Sequence, residues 1–158
     1  MKKCSIAAVI AVALTAVVVC LSSCKGGEDK KIVLCYSQTD EIIASFEAYE
    51  GAEFSVEFIH SVNNSPVKDV FCVKDGKLVA DRTIYSAFGA GVQTEIEDGQ
   101  KLEFDENGNM VVSGFDIVFP KVHYLVGTVS DHILEIQGEY ISLRDLCGRN
   151  AHVYFQVR

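Results

Sequence analysis

From residue 32 onward the chain is dominated by alternation of apolar and polar residues. Phe54, Val56, Phe58, His60 and Val62 share one parity, interleaved with Glu53, Ser55, Glu57 and Ser61. The C-terminal segment repeats the pattern, with Ala151, Val153, Phe155 and Val157 set against His152, Tyr154, Gln156 and Arg158. A period of two sends successive side chains to opposite faces of a strand, so these segments read as half-buried strands. Turn formers recur at short intervals: Asn63-Asn64-Ser65-Pro66, Asp75-Gly76, Asp98-Gly99, Asn107-Gly108 and Gly127. Many short strands joined by tight turns predict an all-β domain, an antiparallel sandwich or barrel. At most one short helix is expected, around Ile141 to Cys147 and stopped by Gly148.

Two of the turns set a register. A four-residue loop over 63–66 places Val62 opposite Val67, Phe58 opposite Phe71 and Val56 opposite Val73. A two-residue loop at Asp75-Gly76 places Val73 opposite Leu78, Phe71 opposite Ala80 and Val67 opposite Ile84. The apolar rows agree across three strands, and a one-residue slip would break all of them. The same register sets His60, Asp69 and Arg82 side by side on the inward face. Flanked by two cations, Asp69 is expected to stay ionised. Two roles fit such a row. It is either a buried charged cluster that fixes strand register, or a polar patch that binds a small carboxylate through the two-pronged Arg82 guanidinium. The third strand runs on into Phe88 and the loop Gly89, Ala90, Gly91, whose glycines permit close backbone approach to a bound group.

The N-terminal part has another character. Lys2 and Lys3 precede an uncharged run from Ile6 to Leu21, and Leu21-Ser22-Ser23-Cys24 resembles the lipobox of bacterial lipoproteins. On this reading residues 1–23 are a signal peptide, and residues 24–31 are a lipidated N-terminus (acylated at Cys24) with a polar tether. Residues 32–158 form a single extracytoplasmic domain held at the cell membrane by lipid. Losing Lys2 and Lys3 from 14 basic residues leaves 12 against 22 acids. Such an excess of negative charge argues against nucleic acid and against anionic headgroups as partners. Of six cysteines, Cys35, Cys72 and Cys147 remain for the domain, enough for one disulfide with three pairings open.

Catalytic and metal motifs are weak. Ser61 follows His60 directly, so their side chains leave the strand on opposite faces, and no Gly-x-Ser-x-Gly elbow occurs. His123, His132 and His152 are scattered, without metal-ligand spacing. Asp105, Asn107 and Asn109 imitate the start of a calcium loop, but Met110 stands where that loop needs Gly. An Asn-Gly hairpin accounts for the stretch better. A non-catalytic protein with no cofactor and no metal is the expectation.

Phe58-Ile59-His60-Ser61-Val62, then Ser65-Pro66-Val67 with Asp69, then Phe88-Gly89-Ala90-Gly91 resemble the bacterial family numbered 1850 among domains of unknown function. The resemblance covers roughly Phe54 to Leu143; Asp69 and Gln93 stand where the family pattern has Glu and Pro. It implies a small exported or membrane-anchored protein accompanying tripartite ATP-independent periplasmic transporters of the TAXI class. The implied partner is the transporter's permease or its solute-binding receptor.

Overall fold

A computed structural model describes residues 30–62, 64–87 and 96–158. Along the chain run β1 (Lys31–Tyr36), β2 (Ile42–Glu47), β3 (Glu53–Ile59), β4 (Pro66–Lys74), β5 (Lys77–Tyr85) and β6 (Lys101–Phe104). They are followed by β7 (Met110–Phe119), β8 (Val122–Leu125), β9 (His132–Ile136), β10 (Glu139–Ser142), α1 (Leu143–Cys147) and β11 (His152–Val157). Two sheets form, a four-stranded one in the order β2-β1-β11-β8 and a seven-stranded one in the order β10-β9-β3-β4-β5-β7-β6. All the strand pairings are antiparallel. The architecture is the expected sandwich of short strands, open at its edges and not closed into a barrel.

Alternation explains the core. Ile32, Leu34, Val153 and Phe155 of the smaller sheet pack on Phe54, Val56, Phe71, Leu78, Leu134 and Ile136 of the larger. Phe54 lies at the centre, its ring 5.2 Å from Phe71 across its own sheet and 4.7 Å from Phe155 opposite. The one helix among the described residues sits where the sequence predicts it. Its N-cap Ser142 accepts a hydrogen bond from the Asp145 N–H, and Gly148 ends it at φ 89°. Tyr154, on the polar parity of β11, is buried all the same. It packs with Val33 and Cys35 on the outer face of the small sheet, under the Lys121 ammonium 3.9 Å from its ring centre. Cys35, Cys72 and Cys147 are all free thiols, and burial pushes that of Cys147 up to about 11.

The register departs from expectation in two places. Between β3 and β4 the loop spans residues 60–65, so Phe58 faces Val67, Phe54 faces Phe71 and Val56 faces Asp69. His60 causes this. Its backbone N–H donates to Ser65 O at 2.9 Å, its carbonyl accepts from the Asn64 N–H at 2.9 Å, and its Nδ1 accepts from the Val62 N–H at 3.3 Å. The loop closes on the imidazole residue and takes Val62 out of the strand. Between β4 and β5 the expected pairs hold from Lys74–Lys77 to Phe71–Ala80. A bulge at Asp81 then moves the ladder by one, so Val70 faces Arg82, Asp69 faces Thr83 and Val67 faces Tyr85. β7 bulges at the same level, where Gly114 (φ 80°) and Asp116 (φ 48°) take positive φ. A Cβ at Gly114 would stand 2.6 Å from Gly99 O. The paired bulges bend the sheet at this level.

Candidate functional site

The row of His60, Asp69 and Arg82 does not exist. His60 lies in the loop at the end of β3 with its ring turned to the Val62 amide. The one-residue bulge at Asp81 carries Arg82 to the outer face of the large sheet, while Asp69 stays on the inner face. Arg82 is held there by a forked pair with Glu53, Nη1 to Oε1 at 3.3 Å and Nη2 to Oε2 at 3.1 Å, and by its neighbour Asp81. These contacts, the Glu53 pair foremost, raise the Arg82 pKa further. The guanidinium is thus shared between two carboxylates of its own sheet. Gly89, Ala90 and Gly91 lie outside the described residues, as does Cys24.

Two polar constellations take the place of the row. On the outer face, Lys68 bridges Glu135 at 3.1 Å and approaches Glu57 at 3.8 Å, while Ser55 and Tyr140 donate to Glu135 at 3.3 and 2.8 Å. Ser55, Lys68 and Glu135, with the Arg82–Glu53 pair, border a furrow of about 270 Å³. The Tyr140 hydroxyl, followed by Lys68, holds the Glu135 carboxyl below its ordinary value. The charges of the furrow largely satisfy one another.

The inner face carries the second constellation, around Asp69. Its Oδ1 accepts from the Thr83 hydroxyl at 3.0 Å, and its Oδ2 accepts from the Tyr124 hydroxyl of the opposite sheet at 3.2 Å. Among the described residues no cation forms an ion pair with it. Burial therefore raises the Asp69 pKa, and the two neutral hydrogen bonds only partly oppose that. Tyr124, half-buried and facing that carboxylate, is pushed well above the ordinary phenol value, by desolvation first. The expectation of an Asp69 held ionised by two cations is thus corrected, because neither cation reaches it.

His132 extends the cluster. Its ring stacks on Phe58 at 5.2 Å and meets Tyr124 edge-on at 5.9 Å, and its Nδ1 accepts from the Gly127 N–H at 3.2 Å. Burial lowers its pKa. Sequence reasoning missed both Tyr124 and His132. The available signal was parity: Tyr124 shares the inward parity of buried Val122, and an inward phenol needs a buried acceptor. At Asp105 the imitation of a calcium loop resolves as a turn. The carboxylate accepts from the Asn107 and Asn109 backbone N–H groups and from Asn109 Nδ2, at 2.9, 2.8 and 2.7 Å.

The two ends of the sandwich also differ. Lys30, where the described chain begins, lies against Gly76 of the β4–β5 hairpin, and Gln137 of the β9–β10 hairpin donates to Glu47 O close by. The opposite end bears the 60–65 loop and the 126–131 loop, adjacent because Phe58 pairs with His132. There Val62 is 63% and Val129 94% exposed.

The family model described as Domain of unknown function (DUF1850) matches residues 54–143. The matched span takes in His60, Asp69, Arg82, Tyr124 and His132. No curated protein and no solved structure matches the chain.

Proposed function

We propose that this chain, which belongs to the DUF1850 family, is a lipid-anchored extracytoplasmic module that docks on the solute-binding receptor of a TAXI-type transporter. Three things support the reading: the lipobox-like Leu21–Cys24, the transporter association implied by the family resemblance, and the polarity of the sandwich. The polarity carries it. An acylated Cys24 precedes Lys30 by six residues, a tether of at most ~20 Å when fully extended. The hairpin end beside Lys30 is therefore the end kept near the bilayer. The Val62 and Val129 loops sit a full strand length away, roughly 20 Å for six residues. Exposed valines at that far end suit a partner standing in the extracytoplasmic space more than one embedded in the membrane.

The test uses the full-length protein in its native membranes. Photo-crosslinkers are placed singly at Val62, at Val129 and, on the anchor end, at Asp75, and the adducts are identified by mass. Adducts with a transporter's solute receptor at the two valines and not at Asp75 are the expected result, and Cys24→Ser should abolish the acyl group that mass spectrometry finds on the mature N-terminus. Adducts confined to Asp75, or partners unconnected with solute transport, would overturn the docking. A native protein whose intact mass still contains Met1, or whose mature chain begins elsewhere than at an acylated Cys24, would overturn the anchor.

A further inference from the structure

The seven-stranded sheet is wider than the four-stranded sheet that covers it, and part of its inner face is left open along β5 and β7. Ile117 shows this: it pairs with the inward Ala80, yet it is 49% exposed. Asp69, Phe71, Thr83, Phe115, Ile117 and Phe119 line a crevice of about 200 Å³ at that place. Val70, Ala80 and Arg82 complete its border at the Asp81 bulge, and the Arg82 guanidinium is engaged by Glu53 and Asp81. Phe71 and Phe119 meet edge to face at 6.3 Å. The crevice is thus apolar and aromatic along its length, with one carboxylate at its inner end.

That carboxylate has hydroxyl partners, Thr83 and Tyr124, but no cationic partner among the described residues. Each carboxylate oxygen has two lone pairs, so acceptor capacity remains beyond these two bonds. A desolvated carboxylate without a counter-charge gains most from a cation that arrives with its own hydrogen-bond donors. We propose that the crevice binds a small organic cation, a primary ammonium carried on a short aromatic or aliphatic body. The ammonium donates to Asp69 while the body lies along Phe71, Phe115 and Phe119, whose ring faces also attract positive charge. The volume lies below the roughly 300–1,000 Å³ of sites for drug-sized ligands, so the ligand is small. A carboxylate ligand is the reverse of what the site offers, since it would meet Asp69 as a like charge. The raised pKa of Asp69 agrees with a group lacking its counter-ion. This site depends neither on the lipid anchor nor on the docking partner proposed above.

The experiment takes the detergent-solubilised full-length protein and titrates it with 2-phenylethylammonium, hexylammonium and phenylacetate. Binding is read by saturation-transfer NMR and calorimetry. Saturable binding of both amines is expected, with phenylacetate at least tenfold weaker although its body is nearly the same. Asp69→Asn keeps the side-chain shape and should weaken the amines at least tenfold, and it also subtracts any partition into the micelle. Phe115→Leu, which leaves the carboxylate in place, should weaken 2-phenylethylammonium more than hexylammonium. The site is overturned by phenylacetate binding as tightly as the amines, or by amine affinity that survives in a folded Asp69→Asn protein. It is equally overturned if no saturable amine binding appears up to about 10 mM, an affinity of under about 2.7 kcal/mol.

Discussion

Tyr124→Phe isolates the tie between the two sheets. The substitution removes one hydroxyl and leaves the ring, which packs edge-on to Phe155 at 6.2 Å and to His132 at 5.9 Å. What is lost is the 3.2 Å hydrogen bond to Asp69 Oδ2. A hydrogen bond to a charged group contributes about 1.5–3 kcal/mol when its partner is left unsatisfied. Asp69 is half-buried and recovers some hydration, so the lower part of that range applies, about 1.5–2 kcal/mol. Asp69→Asn should be nearly neutral by comparison, because the amide can still accept from Thr83, still pair with Tyr124, and no longer buries a charge. In the Asn background Tyr124→Phe removes only a neutral hydrogen bond, worth about 0.5–1.5 kcal/mol. The double-mutant cycle should therefore show a coupling on the order of 1 kcal/mol between Asp69 and Tyr124. The same cycle between Asp69 and Arg82 should give less than about 0.5 kcal/mol, since the bulge puts them on opposite faces. Urea unfolding at neutral pH, followed by circular dichroism with m-values checked for constancy, measures all the corners. An Asp69–Arg82 coupling larger than the Asp69–Tyr124 coupling would refute the bulged register and restore the row.

Further outcomes follow from the same geometry. The folded-state pKa of Asp69 lies above its unfolded value near 3.8, so its contribution to stability is most favourable below that value and is lost as pH rises through the folded pKa. The Tm of Asp69→Asn minus that of the native protein should accordingly increase from pH 4 toward pH 7; a flat or falling difference would show a carboxylate that is not desolvated. Gly114→Ala, forced to φ 80° with its Cβ 2.6 Å from Gly99 O, should cost about 1–3 kcal/mol by thermal unfolding, and a neutral result would remove the β7 bulge. His60→Ala should lose only the cap on the Val62 amide, about 1 kcal/mol or less. A loss of 3 kcal/mol or more would instead signal a buried charge partner.

Much of the fold was legible because a period of two is a local property. Each of Val153, Phe155, Phe54 and Val56 declares its face through its immediate neighbours, and two stacked sheets are the usual way to bury such faces. The hairpin at Asp75-Gly76 was legible for the same reason: its turn residues and the pairs next to it agree, and φ at both positions is positive as that turn requires. The short helix was legible through Gly148, which stops it, whereas its N-cap Ser142 emerged only from the structure. Tyr154 departs from its parity. Its parity is outward, and its burial depends on Lys121 and Asp40, which come from elsewhere in the chain.

The two register errors had unequal consequences, and the difference explains what became of the candidate site. Between β3 and β4 the pairing moved by an even number of positions. Asp69 gained Val56 as its neighbour in place of His60, yet it kept the inward face deduced for it. Between β4 and β5 the pairing moved by one, which is the step that exchanges faces, and Arg82 left the inner side altogether. The sequence held a hint of this. Asp81 and Arg82 are successive charged residues within one strand, and Gly114 interrupts the strand that pairs with them; both are marks of a bulge. Tyr124 could not be assigned to Asp69 in advance, because the contact crosses between sheets and no turn chemistry fixes how sheets stack. Parity deduces the face of a residue securely only as far as the next bulge. Asp69 lies before it and Arg82 after it, so the carboxylate is left in the crevice without the cation that the unbroken ladder would have given it.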